Sequence, residues 1–228
     1  TRLRDTVFHF DSRSEFAYAI LPHGLNRDDT GVLRVNLKDR NNIVCDSIGI
    51  LDAAIGPGEI EAILLSEDDQ SLWVFDSRRG LARLDVVETS TTFETYSPWV
   101  SVTTANGTPL RANRLFFSRE PGHVWLISTN QDTALVNIAN GRIVDNIFNV
   151  RRSTLSLVAQ TFDRRWLAES AGSPRNEIKF IDLYNRLVST TKTYTNTNDQ
   201  QISSHPYLNR FLVKPAIFEV LQVEIISP

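Results

Sequence analysis

Between Gly56 and Val87 the chain reads GPGEIEAILLSEDDQSLWVFDSRRGLARLDVV, and this stretch narrows the possible folds more than any other. A Pro/Gly turn leads into the apolar run Ile60–Leu65. An acidic turn follows, then the run Leu72–Phe75, a turn ending on Gly80, and a third run in which Leu81, Arg83 and Asp85 alternate with Ala82, Leu84 and Val86. Alternation with a period of two is the strand signature, because successive strand side chains point to opposite faces. Short strands joined by turn chemistry are the grammar of an all-β unit.

The same hairpin recurs. Val35-Asn-Leu-Lys-Asp-Arg-Asn-Asn-Ile-Val44, Phe75-Asp-Ser-Arg-Arg-Gly-Leu81, Val136-Asn-Ile-Ala-Asn-Gly-Arg-Ile-Val144 and Ile181-Asp-Leu-Tyr-Asn-Arg-Leu-Val188 each place a β-favouring residue before Asp or Asn, then turn residues, then a resumed apolar run. An Asp or Asn at that position bonds the backbone of the turn it opens, and Gly80 and Gly141 supply positive φ. The polar positions Asn36, Asp76, Asn137 and Asp182 stand 40, 61 and 45 residues apart, the middle interval swollen by a Thr/Ser-rich connection. Further strand pairs precede the later hairpins: Leu115–Ser118 with His123–Ser128, and Leu155–Ala159 with Arg165–Ser170. A weaker unit ends the chain in RFLVKPAIFEVLQVEII. Four strands per 40–50-residue unit predict a β-propeller of five to six blades, each a four-stranded antiparallel sheet. The whole of 1–228 reads as one domain, with Thr6–Phe10 expected to close the ring on the last blade.

Composition limits the partners. Lys+Arg 24 against Asp+Glu 27 gives a net charge of -3, without the positive field that attracts a phosphate backbone, so nucleic acid is not an expected partner. No apolar run approaches the roughly 20 residues that span a bilayer. The single cysteine, Cys45, forbids an internal disulfide and reads as a small buried apolar residue. The sequence holds no Met, where average usage predicts roughly four or five, and so reads as a processed fragment or as lacking residues.

Gly56-Pro-Gly-Glu59, followed by the acidic turn and Leu72-Trp-Val-Phe-Asp76, resembles the GPGE-then-blade signature of bacterial six-bladed β-propeller proteins of the TolB-like kind. That resemblance implies six blades and an exported protein of the cell envelope, in the periplasm or on the outer surface. Any lipid anchor would lie outside this chain. The sequence departs from the pattern in showing five units and no lipid-attachment cysteine near its start.

Chemistry-bearing motifs are few. His9, His23, His123 and His205 form no HxH, HExxH or HxxxH pair, and no nucleophile elbow or phosphate-cradling loop is present. The acidic turn Glu67–Asp69 lacks the spacing of a calcium loop and reads as a hairpin turn. No cofactor is expected. Loops carry function on rigid scaffolds, which singles out His23, Arg27 and Asp28 in PHGLNRDD, Tyr96 and Trp99 in TYSPWVSV as an exposed aromatic platform, and His123. Asn106-Gly-Thr108 is a glycosylation sequon, meaningful only in a eukaryotic secretory context. Together these residues point to a non-enzymatic module binding a protein, peptide or glycan. The alternative is a metal-dependent propeller hydrolase or lactonase with ligands drawn from several blades. No tryptophan is followed by Asp, which weighs against a WD-repeat scaffold, and Gly-His occurs once, at Gly122-His123.

Overall fold

The structure, a computed structural model, describes residues 8–20, 32–39, 41–51, 60–76, 78–86, 92–94, 99–128, 133–147, 158–171, 177–193, 201–204, 208–214, 224–226 and 228. They are strands and turns throughout. The first sheet takes β1 (His9–Phe10), β2 (Phe16–Ile20), β3 (Val32–Asn36) and β4 (Val44–Leu51); the second takes β5 (Ile60–Leu65), β6 (Ser71–Asp76) and β7 (Gly80–Asp85). The segment β8 (Thr92–Glu94) returns to lie parallel to β4 on the edge of the first sheet. The third sheet runs β9 (Ala112–Phe117), β10 (His123–Ser128), β11 (Thr133–Asn137), β12 (Ile143–Ile147). The fourth runs β13 (Val158–Gln160), β14 (Trp166–Ala171), β15 (Glu177–Asp182), β16 (Leu187–Thr193), and the fifth β17 (Gln201–Ser204), β18 (Phe211–Lys214), β19 (Glu224–Ile226). Apart from β4 with β8, every strand pair is antiparallel between chain neighbours.

Strands such as Ile60–Leu65 are apolar on both faces, and the cores show why. Along the second sheet Ile63, Leu65, Leu72, Val74, Ala82 and Leu84 pack against Phe16, Tyr18 and Val32 of the first sheet. The intervening residues Ala62, Leu64, Phe75 and Leu81 turn the other way, onto Leu115, Val124, Leu126 and Val136 of the third. Trp125, Ile127 and Leu135 then meet Leu167 and Ile181 of the fourth sheet, whose Ala168, Ile178 and Phe180 meet Phe211 and Val213 of the fifth. A strand period of two therefore sorts one apolar run into two cores. The largest apolar contribution per residue comes from side chains such as Trp125, 2% exposed.

The four sequence hairpins cap as expected. Asn36 Oδ1 accepts Lys38 N at 3.0 Å, Asp76 Oδ1 accepts Arg78 N at 2.7 Å, Asn137 Oδ1 accepts Ala139 N at 3.0 Å, and Asp182 Oδ1 accepts Tyr184 N at 2.9 Å. Gly80 and Gly141 do hold positive φ, and a Cβ on either would strike the backbone oxygen of Val100 or Ser101.

Four expectations are corrected. The Asp76 turn joins the second and third strands of its sheet, where the other three join the third and fourth. The third strands in fact end at Asn36, Asp85, Asn137 and Asp182, 49, 52 and 45 residues apart, a more even repeat. His9–Phe10 pairs with β2, His9 opposite Tyr18, instead of closing on the last sheet, because the Asp11 turn folds the chain back at once. Cys45 is exposed on β4, an outer strand. The six blades implied by the TolB-like resemblance are not found: four blades follow one another, and the three-stranded sheet β17–β19 packs on the fourth, with no sixth sheet among the described residues.

Candidate functional site

Each of the first four sheets opens with a five-residue turn between its first two strands, beginning at Asp11, Ser66, Ser118 and Thr161. Asp11 N donates to Phe16 O, Ser66 N to Ser71 O and Thr161 N to Trp166 O, at 3.1, 2.8 and 2.9 Å. The first side chain fastens the turn from inside. Asp11 Oδ1 accepts Glu15 N and Phe16 N, Ser66 Oγ accepts Ser71 N, and Thr161 Oγ1 accepts Trp166 N. Three turns put their fourth residue in the left-handed region: Ser14, Asp69 and Arg164, with φ of 56°, 58° and 62°. In the third, that position is Pro121, whose ring fixes φ near −65°, so the left-handed residue becomes Gly122 one place later, φ 73°.

These turns touch one another and share their charges. Ser12 N donates to Asp69 Oδ2 at 2.9 Å, joining the first turn to the second, and Arg164 of the fourth turn pairs with Glu67 of the second. Arg119 of the third turn donates to the Asp163 carbonyl and, at 3.0 Å, to Asp163 Oδ2. Asp163 N in turn donates to Asn209 Oδ1 before the fifth sheet's second strand. Arg186, from the β15–β16 turn, donates to Asp145 and to Glu120 at 2.5 Å each while its guanidinium lies 5.8 Å from the Trp125 ring centroid.

Within the fourth sheet, Arg165 Nη2 donates to Asp182 Oδ2 at 2.9 Å and its guanidinium lies over the rings of Trp166 and Tyr184. Burial of Asp182 works to raise its pKa, but the bonds from Arg165, Asn185 and Tyr184 outweigh it and hold the carboxyl below its usual range. The Ser66 hydroxyl and Gln70 amide hold the exposed Asp68 carboxyl low as well. On β1, burial, helped by the nearby charge of Arg114, pushes the His9 imidazole down to about 4.

Apolar side chains project from this paired-charge surface. Phe10 precedes the first turn, Phe162 lies in the fourth at 69% exposed, Leu208 precedes the fifth sheet's second strand, and Tyr184, also 69% exposed, sits in the β15–β16 turn. Arg119, Arg164 and Arg165 are charged neighbours already engaged by carboxylates of the protein itself.

Of the residues singled out in the sequence, His23, Arg27, Asp28 and Tyr96 lie outside the described residues. Trp99 is not the exposed platform expected of it: it is partly buried against the first core, with the Arg79 guanidinium 5.4 Å from its ring centroid. His123 opens β10. Its Nδ1 lies 2.9 Å from Pro121 O and its Nε2 3.4 Å from Asn137 Nδ2, so Nδ1–H donates to the carbonyl and Nε2 accepts from the amide. Both nitrogens thus serve the turn. Among the described residues no three His, Cys, Asp or Glu side chains come together as metal ligands. Sequence patterning does not single out the turn residues Ser66, Ser118 and Thr161; their one local signal is a hydroxyl or Asp followed five residues later by a new apolar run.

The chain matches no protein-family model and no curated protein sequence. Solved structures do match. The β-propeller domain of Cps50 (Swd1) from Myceliophteria thermophila aligns over 94% of this chain and 67% of its own, with a TM-score of 0.56 at 11% identity. The chain is a β-propeller. Hydrazine synthase of Kuenenia stuttgartiensis aligns over 90% of this propeller at a TM-score of 0.57 and 10% identity, and the chain spans only 54% of that protein's length. Identity this low carries the architecture, while function has to come from the site.

Proposed function

We propose that this propeller is a non-enzymatic binding module that takes a protein or peptide partner on the surface made by its first-hairpin turns. The observation that carries the reading is the set of exposed side chains Phe10, Phe162, Tyr184 and Leu208 standing among arginines and carboxylates that neutralise one another. Exposed aromatic and aliphatic groups supply most of the energy in protein recognition when a partner excludes water from them. Turns locked by internal bonds present those groups at little entropic cost. The hydrolase alternative has no cluster of ligands among the described residues to support it. Location in the cell envelope belongs to this reading through the GPGE resemblance, and fractionation of the source cells checks it.

The test is selection from a displayed peptide library, followed by affinity measurement on the wild type and on F10A/F162A. The truncated side chains are exposed, so folding should be unaffected. Peptides with apolar anchors should be enriched and should bind the double variant at least about tenfold more weakly. Peptides that bind both forms equally, or enrichment only from a glycan array, would overturn the assignment of the surface.

A further inference from the structure

The chain contains two Asn-Gly pairs, Asn106-Gly107 and Asn140-Gly141, and the fold treats them oppositely. We propose that Asn106 is a site of spontaneous deamidation and isoaspartate formation in the folded protein, and that the fold protects Asn140 from the same reaction.

The chemistry needs only water. The Gly nitrogen, on losing its proton, attacks the Asn Cγ; a C–N bond forms, the Cγ–Nδ2 bond breaks, and the amide leaves as ammonia with that proton. Water then adds to one of the two imide carbonyls and reopens the five-membered ring, leaving aspartate or isoaspartate. Glycine is the most reactive follower because it has no Cβ to crowd the attack and passes readily through unusual φ/ψ values.

Both glycine amides are engaged alike: Gly107 N donates to Thr104 O and Gly141 N to Asn137 O, each at 2.9 Å. That part of the cost cancels. The side chains differ. Asn140 Oδ1 accepts Arg142 N at 2.9 Å, which ties its carbonyl to the turn and away from the attacking nitrogen. Gly141 is buried, and the place of its missing Cβ is filled by Ser101 O, so the backbone there has no space to rearrange into a ring. Around Gly107 nothing lies within 4 Å of the corresponding position, and Thr103–Thr104 with Thr108–Pro109 hold an exposed tip on which Ala105, Asn106 and Gly107 all face solvent. Releasing one hydrogen bond before reaction is worth about a factor of ten in rate. The packing over Gly141 adds to it.

Incubation of the folded protein in mildly alkaline water enriched in heavy oxygen, followed by peptide mapping, reads both sites in one sample. The Asn106 peptide should gain the mass of one heavy oxygen exchanged for the amide nitrogen, with an isoaspartate form resolved by chromatography, about tenfold or more faster than the Asn140 peptide. In denaturant the two peptides should react at similar rates, which shows that the difference belongs to the fold. Equal rates in the folded protein, or a faster Asn140, would overturn the proposal. So would an Asn106 that stays intact in the folded chain while reacting in the denatured one. G107A should suppress the change at Asn106; an unchanged rate in that variant also overturns the ring mechanism.

Discussion

Ser14 and Gly122 occupy the left-handed places of two related turns, one with a Cβ and one without. A left-handed L-residue costs roughly 1–2 kcal/mol, partly offset on change to glycine by the greater freedom of glycine in the unfolded chain. S14G should therefore raise stability by about 0.5–1 kcal/mol, while G122A, with open space around it and only its φ at stake, should lower it by about 1 kcal/mol. Denaturant unfolding of both variants reads the pair, and two changes of the same sign would show that the φ values are not what decides these turns. His9 gives a pH dependence. Its folded pKa of about 4 lies below the ordinary 6.5, so both states are neutral above that value and nothing is lost at neutral pH. As pH falls through 6.5 the unfolded chain takes up a proton that the native state refuses, and stability declines until pH about 4, by at most about 3 kcal/mol. The low-lying carboxyls of Asp68 and Asp182 contribute their losses mainly below that window. Unfolding titrations of wild type and H9N should differ in slope between these limits; parallel curves would remove His9 as the cause.

At the scale of the strand and hairpin, much was legible in the sequence because period-two patterning and turn chemistry act over a few residues. The runs 60–65, 72–75 and 123–128 are strands, and Asn36, Asp76, Asn137 and Asp182 all bond the amide two residues on. Which turn each Asp opens was not legible. Asp76 uses the same local chemistry as Asp182 at a different junction, and only pairing across the sheet tells the second hairpin from the third. Register with β2 likewise decided where His9–Phe10 belongs. For the candidate site, position along the chain placed His123 on a strand, but its engagement with Asn137 depends on the β10–β11 register, which sets the two residues opposite each other. Arg165 with Asp182, and Arg186 with Glu120 and Asp145, join residues 17 to 66 positions apart, beyond the reach of any local pattern. Trp99 shows the converse: an aromatic in a polar connection looks exposed until the guanidinium that covers it is known.

At the scale of the whole molecule, the second, third and fourth sheets are each, among the described residues, a wall between two cores, so none of these three holds its apolar residues out of water without both neighbours. Leu126 belongs to the core between the second and third sheets, and Leu167 to the core between the third and fourth. Both are fully buried. Truncating either to alanine removes buried methylenes and leaves a cavity, for about 2–5 kcal/mol. If the cores were independent, L126A would weaken one boundary and leave the other at its wild-type stability, giving two transitions in calorimetry. Shared walls argue for the opposite. The third sheet loses support on one face in L126A and on the other in L167A, and in either case the same sheet is exposed, so the chain should unfold in one transition lowered by a similar amount. With the two sites in separate cores and without shared partners, the double variant should lose close to the sum of the single losses. Calorimetry of the three variants decides the matter: a second transition that survives at the wild-type temperature in L126A would mean that the sheets beyond the third stand on their own.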